Sequence, residues 1–175
     1  MKSQFVELPV STRDGIFFAH YSEKGLAGLD FPNGRADLPL GQAARRRRPT
    51  QQNAVPAKIR KWHRATESAL KNILGGSKPK KFPPLDLAGT EFQKGVWNAL
   101  RKISIGKTKS YGEIADAIGK PKAVRAVGGA CGANPVPVLV PCHRVLAANK
   151  KPGGFSGGLD WKRSLLAREG IKFLA

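Results

Sequence analysis

Three prolines and two glycines fall within ten residues at GGSKPKKFPP, positions 75–84. Proline lacks an amide proton and both residue types interrupt regular elements, so neither a helix nor a central strand can run through this stretch. The 175 residues are thereby divided into two parts that must find their elements separately. A chain of this length holds one ample core or two small domains. The expected division is 1–85 and 86–175.

The first part reads as β. GIFFAHY (15–21) and GLAGLDF (25–31) are short apolar or alternating runs, and SEKG between them suits a hairpin turn. Residues 32–55 are rich in Pro, Gly, Gln, Asn and Arg, include the run Arg45 to Arg48, and read as a loop. A helix is expected over 56–74, where Ile59, Trp62, Thr66, Ala69, Leu70 and Ile73 keep helical spacing between Pro56 and Gly75.

The second part reads as helices. Thr90 to Gln93 and Ser110 to Glu113 are capping boxes. The first opens a helix with Phe92, Val96, Trp97, Leu100 and Ile103 on one face. The second opens a short helix carrying Tyr111, Ile114, Ala115 and Ile118. Gly119-Lys120-Pro121 then breaks the chain before KAVRAVGGACG (122–132), a helix lined with small residues. This order fits a helix-turn-helix or an ordinary helical hairpin. The last helix is expected over 160–170, with Asp160 as N-cap and Gly170 as stop.

Charge narrows the function. There are 31 Lys and Arg against 12 Asp and Glu, a net charge of +19. The excess is spread along the chain, with 16 basic and 6 acidic residues up to residue 85 and 15 and 6 after it. A polyanionic partner follows, with nucleic acid ahead of a membrane surface, since no basic amphipathic anchor is present. No window approaches the ~18 consecutive apolar residues of a membrane span, and the start lacks a signal-peptide pattern. With only Cys131 and Cys142, a disulfide framework is not expected, which points to an intracellular setting. Two cysteines and three scattered histidines give no zinc spacing, so neither metal nor cofactor is expected.

The chemistry concentrates at VLVPCHRVL, 138–146, read as a buried strand that ends on a thiol. Cys131, among alanines and glycines, reads as a small buried hydrophobe. Cys142 follows Pro141 where the chain must leave its strand. A free thiol near pKa ~8.5 is mostly protonated at neutral pH, so a nucleophile needs a base. Adjacent His143 is the candidate, but neighbouring side chains on an extended segment face opposite ways. Either the chain turns there or a water relays the proton. Glu169 stands in the final turn of the last helix, where the helix dipole disfavours a carboxylate. Orienting a histidine is one use for it.

GTEFQKGVWNALRKI, SYGEIADAIGKPKAVRAVGGA, NPVPVLVPCHRV and GGFSGGLDWKRSLLAREG together resemble the O6-alkylguanine-DNA alkyltransferases, in order and spacing, over most of 89–170. The resemblance implies an α+β protein. A small N-terminal RNase H-like domain would precede a mostly helical domain with a helix-turn-helix and an active-site strand and turn. It implies direct, one-turnover transfer of the alkyl group from O6-alkylguanine, and from O4-alkylthymine, to Cys142. His143 would take the thiol proton through a water, oriented by Glu169. Tyr111 would protonate guanine N3, and Asn134 would brace the turn after the recognition helix. Main chain at Cys142, Val145 and Ser156 would read the guanine edge, with Phe155 beside the substrate where the family commonly has tyrosine. Arg125 would replace the extruded nucleotide in the stack. Ala126, Gly129 and Ala130 would let the helix backbone approach the minor groove.

The implied partner is double-stranded DNA carrying O6-alkylguanine, bound by a monomer without a membrane. The implied place is the cytoplasm or nucleoid of a bacterium or archaeon, or a eukaryotic nucleus. The alternative is an alkyltransferase-like protein that binds lesions without chemistry, in which another residue replaces the acceptor cysteine; Cys142 argues against it. A Cys-His hydrolase would leave the charge and the paired helices without a role.

Overall fold

The computed structural model describes residues 5–32 and 55–172. The Arg45 to Arg48 run lies outside the described residues.

Strand β1 (Val6–Thr12) pairs antiparallel with β2 (Gly15–Tyr21), which pairs antiparallel with β3 (Leu26–Asp30). Alternation along β2 turns Phe17, Ala19 and Tyr21 inward. Helix α1 (Ala57–Leu74) covers that face with Ile59, Thr66, Ala69, Leu70 and Ile73, on the expected stripe. The Tyr21 hydroxyl donates to Thr66 Oγ1 at 2.8 Å, so the buried phenol is satisfied. Strand β1 was not anticipated, because Pro9 stands within a run whose Val6, Leu8 and Val10 otherwise alternate with polar positions. Its place at the sheet edge is where a proline is tolerated.

Residues 77–84 hold no helix or strand, and their end docks on β3. The Leu26 N–H donates to the Pro84 carbonyl at 2.8 Å and the Asp86 N–H to the Leu26 carbonyl at 2.9 Å. Gly25 lies so close to the Pro84 carbonyl that a Cβ there would collide with it.

Beyond this segment both capping boxes form. Thr90 opens α2 (Glu91–Leu100): the Gln93 N–H donates to its hydroxyl and the Gln93 side chain accepts its N–H. Ser110 and Glu113 do the same for α3 (Tyr111–Ala117). Val96, Trp97 and Leu100 are buried as expected, but α2 stops before Ile103, which reaches the core from the following turn. After a turn containing Gly119 at φ +68, α4 (Val124–Gly132) follows, and α5 (Leu159–Arg168) is the last helix. Two-residue strands β4 (Lys109–Ser110) and β5 (Val145–Leu146) pair in parallel. The protein is therefore of mixed α+β class, and among the described residues nearly all buried apolar side chains form one cluster across both halves.

Two local expectations are corrected. Asp160 is not the N-cap of α5. Gly158, at φ +90, makes the entry, and Asp160 falls inside the first turn. Gly170 at φ +71 does stop the helix. The run Val138-Leu139-Val140 is not a strand. Val138 sits at φ +74 within a tight turn whose only ladder contact is an isolated bridge from Pro137 to Val140. Pro135, Pro137 and Pro141 withhold the amide protons that a strand would need. Among the described residues no helix is long and apolar enough to cross a membrane.

Candidate active site

The turn from Asn134 to Arg144 is built around one buried amide side chain. Asn134 Oδ1 accepts the Val136 N–H at 3.0 Å. Its Nδ2 donates to the Val140 carbonyl at 2.8 Å and to Cys142 Sγ at 3.1 Å. One amide thus closes the proline-rich loop and places a donor on the sulfur. Pro141, at φ −82 and ψ 63, centres an inverse γ-turn in which the Cys142 N–H reaches the Val140 carbonyl at 2.8 Å. Cys142–Arg144 then form a single 3₁₀ turn. The chain does turn at the thiol, so Cys142 and His143 escape the alternation of an extended strand.

Behind the turn lies a buried ionic cluster. Glu169, at the C-cap of α5, accepts from His143 Nε2 at 3.0 Å, from Arg144 Nε at 2.9 Å and from Arg144 Nη2 at 2.8 Å. Arg144 Nη1 donates to the Ile103 carbonyl at 2.7 Å, and the Gly106 N–H reaches Glu169 Oε2 at 3.4 Å. Burial alone would raise the Glu169 carboxyl. The hydrogen bonds and charges of His143 and Arg144 outweigh it and hold the group down to about 2. Burial drives His143 below the usual imidazole value against the pull of Glu169, with Arg144 and Lys162 adding to the fall. His143 and Glu169 compete for charge, and burial of the imidazole, aided by Arg144, leaves the charge on Glu169 and His143 neutral at pH 7. An ionised carboxylate only accepts, so Nε2 carries the imidazole proton and Nδ1 is the basic nitrogen. Nδ1 has no hydrogen-bond partner among the described residues, and neither does the buried Ser156 hydroxyl.

Three further groups interact electrostatically with Cys142. Cys131 is buried, and burial pushes its thiol up to about 12, with the Cys142 charge adding to the rise. Tyr111, the first residue of α3, is pushed up to about 12 by burial and by the charges of Cys131 and Cys142. A Cβ on Gly153 would come within 2.9 Å of the Tyr111 hydroxyl, which sets the 147–158 loop against this phenol. Lys162, on α5, is fully buried and donates to the Val145 carbonyl at 2.7 Å and the Gly154 carbonyl at 3.3 Å. Burial lowers its ammonium to about 8, although the charges of Cys142 and Cys131 hold it up.

This backbone is similar to the crystal structure of the Mycobacterium tuberculosis O6-methylguanine methyltransferase, with TM-score 0.70 and 33% identity over 95% of this chain and 93% of that one. The chain belongs to the O6-methylguanine methyltransferase family. A second crystal structure, of Mycobacterium tuberculosis OGT in complex with DNA, superposes with TM-score 0.71 at 34% identity, covering 94% of this chain and 92% of that one. Residues 91–171 match the family description "6-O-methylguanine DNA methyltransferase, DNA binding domain". The methylated-DNA–protein-cysteine methyltransferase of Mycolicibacterium paratuberculosis is 59% identical over 85 residues, 49% of this chain and 52% of that protein. The match therefore spans about half the length of such curated relatives.

Placed in this family, the expected site residues divide into three groups. Cys142, His143, Glu169, Asn134 and Tyr111 converge on or around one sulfur. Val145 on β5 and Ser156 in the loop before α5 are buried, and Phe155 meets the His143 ring edge-on at 6.4 Å. On α4, Arg125, Ala126 and Gly129 share the exposed face. Ala130 does not share it. With Val127 and Cys131 it forms the buried stripe at i, i+3 and i+4. Its carbonyl accepts the Trp97 indole N–H at 2.8 Å, so the expectation that Ala130 faces DNA is corrected. Two residues were missed or undervalued. Lys162 gave no signal, because a lysine on an amphipathic helix ordinarily reads as a solvated charge. Arg144, read only as an ion-pair partner, also donates to the Ile103 carbonyl and so anchors the carboxylate that orients the histidine beside it.

Proposed function

We propose that this protein repairs DNA by transferring the alkyl group of O6-alkylguanine, and of O4-alkylthymine, irreversibly to Cys142. One observation carries the proposal: a buried thiol receives an amide donor at 3.1 Å, beside a histidine whose proton is held on Nε2 by a buried carboxylate. That leaves Nδ1 as the base for the thiol proton, passed through a water. The sulfur lone pair forms the S–C bond as the C–O6 bond breaks, and the displaced electron pair goes to the purine. Tyr111 protonates N3 as that charge builds. A phenol near 12 gives up its proton only then. Solvent returns the proton from His143 to Tyr111, so the net change moves the thiol proton to guanine. The thioether that remains is stable, and each molecule turns over once.

Reaching O6 requires the nucleotide to leave the stack at a cost of a few kcal/mol. In this reading α3, the turn and α4 form a helix-turn-helix that enters the minor groove, where sequence readout is degenerate and lesions in any context are accessible. Arg125 is the wedge that fills the vacated stack. Ala126 and Gly129 allow close approach of the α4 backbone. Main chain at Cys142, Val145 and Ser156 reads the guanine edge, with Phe155 alongside. The helical part, 86–175, is the reacting and DNA-binding domain. The three-stranded sheet with α1, within 1–85, is an RNase H-like supporting domain. The protein acts as a monomer inside the cell.

The test is intact-mass measurement after incubation with duplex DNA containing O6-methylguanine. A gain of one CH₂ supports the proposal. Unmodified protein in a stable complex with the lesion overturns it in favour of a non-catalytic binder.

A further inference from the structure

The N-terminal half reaches the candidate site at two points, both next to the reacting groups. The Leu29 N–H on β3 donates to the Pro135 carbonyl at 2.9 Å, which ties the sheet edge to the turn that presents Cys142. One residue beyond β3, Phe31 is buried at 2% exposure with its ring against the loop before α5. It lies 5.7 Å from Phe155 at 74° and 5.0 Å from Trp161 at 46°. A Cβ on Gly157 would press to within 2.5 Å of the Phe31 ring, so the loop backbone packs directly on it. On its far side Phe31 rests on Phe17, 5.5 Å away, which itself meets Trp161 at 5.5 Å. Phe155 is thus held between Phe31 and His143, with edge contacts to both.

A ring wedged in this way has little freedom to retreat from an incoming group. Its neighbour Ser156 is buried, and the buried Phe31 ring packs against the half-buried Phe155. The base-side wall of the site is therefore set partly by a residue more than a hundred positions away in sequence.

Resting on the alkyl-transfer reading, we propose that Phe31 determines how large an alkyl group the site accepts, by bracing Phe155 from behind. Removing the Phe31 ring leaves a space into which Phe155 tilts. The site then gains room for a bulky substituent, while a methyl group gains nothing. A methylene in a snug apolar pocket commonly changes discrimination by about 10–200-fold, and relief of one wall falls at the low end of that range.

The experiment compares single-turnover transfer from O6-methylguanine and O6-benzylguanine in the same duplex for wild type, Phe31→Ala and the milder Phe31→Leu. The benzyl-to-methyl rate ratio should rise on the order of tenfold in Phe31→Ala and less in Phe31→Leu. Phe17→Ala grades the effect, because it removes support one layer behind Phe31 without touching Phe155, and should raise the ratio less than Phe31→Ala does. If Phe31→Ala does not fold, Phe31→Leu alone carries the test. Adding Phe31→Ala to Phe155→Ala should change the ratio no further, since the brace then has nothing to hold. An unchanged ratio in both Phe31 variants, with the two rates falling together, overturns the proposal and returns Phe31 to packing alone. Failure of wild type to accept either group would instead overturn the alkyl-transfer reading.

Discussion

The two halves of the molecule bury different things. Among the described residues, the half before residue 85 buries the Tyr21 phenol, Thr66 and Ser22; Tyr21 pairs with Thr66, and Ser22 with Asp86 just past the division. The half after it buries Asn134, His143, Arg144, Ser156, Lys162 and Glu169. Desolvating such groups is costly, and a fold seeking stability alone would replace several with apolar side chains. All six lie at the turn holding Cys142, at the loop that faces it or at the helix behind it. Under the alkyl-transfer reading, the contrast separates a half that supports from a half that reacts. It also separates the cysteines: Cys131 rests among the apolar side chains of α4, whereas Cys142 receives a side-chain donor.

The largest effect should come from Glu169→Gln. It leaves the Arg144 guanidinium buried without its anion, which should cost about 3 kcal/mol or more in urea unfolding. It should also slow transfer, because a neutral amide no longer fixes the His143 proton on Nε2. Asn134→Ala ranks next. Three side-chain hydrogen bonds are lost, worth about 2–3 kcal/mol together, and transfer should slow further because the sulfur loses its donor. Unchanged stability in either variant would contradict the view that these polar groups organise the C-terminal half.

The pH dependence follows from two groups. The Glu169 carboxyl is lower in the folded protein, near 2 against the usual 4.5. Its contribution is complete above 4.5 and is lost as pH falls toward 2. Lys162 is also lowered, from 10.5 to about 8. Between those values the unfolded chain binds the extra proton, so this group makes stability rise with pH across that window. Lys162→Met should abolish the alkaline rise and keep the acid limb. At pH 7 its stability should change by less than about 2 kcal/mol, because relief of a buried charge offsets two lost carbonyl contacts. Chemical unfolding at intervals from pH 3 to 10.5 would read both limbs.

The smallest effect belongs to the seam between the halves. Arg168 pairs with Asp14 through two bonds, at 2.7 and 2.8 Å, and also donates to the Leu74 carbonyl at 3.1 Å. Because the pair is partly solvated, Asp14→Asn should cost no more than about 1 kcal/mol. A loss as large as that of Glu169→Gln would mean that the supporting half holds the site electrostatically.

Much of this was legible in the residues. The α1 stripe and both capping boxes are local patterns that survived folding, whereas the Asp160 cap did not, because Gly158 at φ +90 makes the entry to α5. Cys142, His143 and Glu169 could be picked out from their own positions, and Asn134 and Tyr111 came through motif resemblance. What escaped depends on long-range contact or on dense proline. Strand β1 was hidden by Pro9. The run at 138–140 looked like a strand because its side chains are β-branched or aliphatic, yet flanking prolines and the Asn134 amide fold it into a turn. The inward position of Ala130 is set by helical phase against Val127 and Cys131. Lys162 is buried only because β5 and the loop before α5 bring two carbonyls to it, and nothing along α5 announces that.

The central claim is that two buried cysteines, eleven positions apart, have different fates because only one stands in the reacting environment. Intact-mass and peptide analysis of wild type, Cys142→Ser and Cys131→Ser, each incubated with O6-methylguanine duplex, tests it directly. The account predicts methylation of wild type and Cys131→Ser on Cys142, and none of Cys142→Ser, although that variant still binds the duplex. A methylated Cys131, or methyl transfer that survives Cys142→Ser, would contradict it.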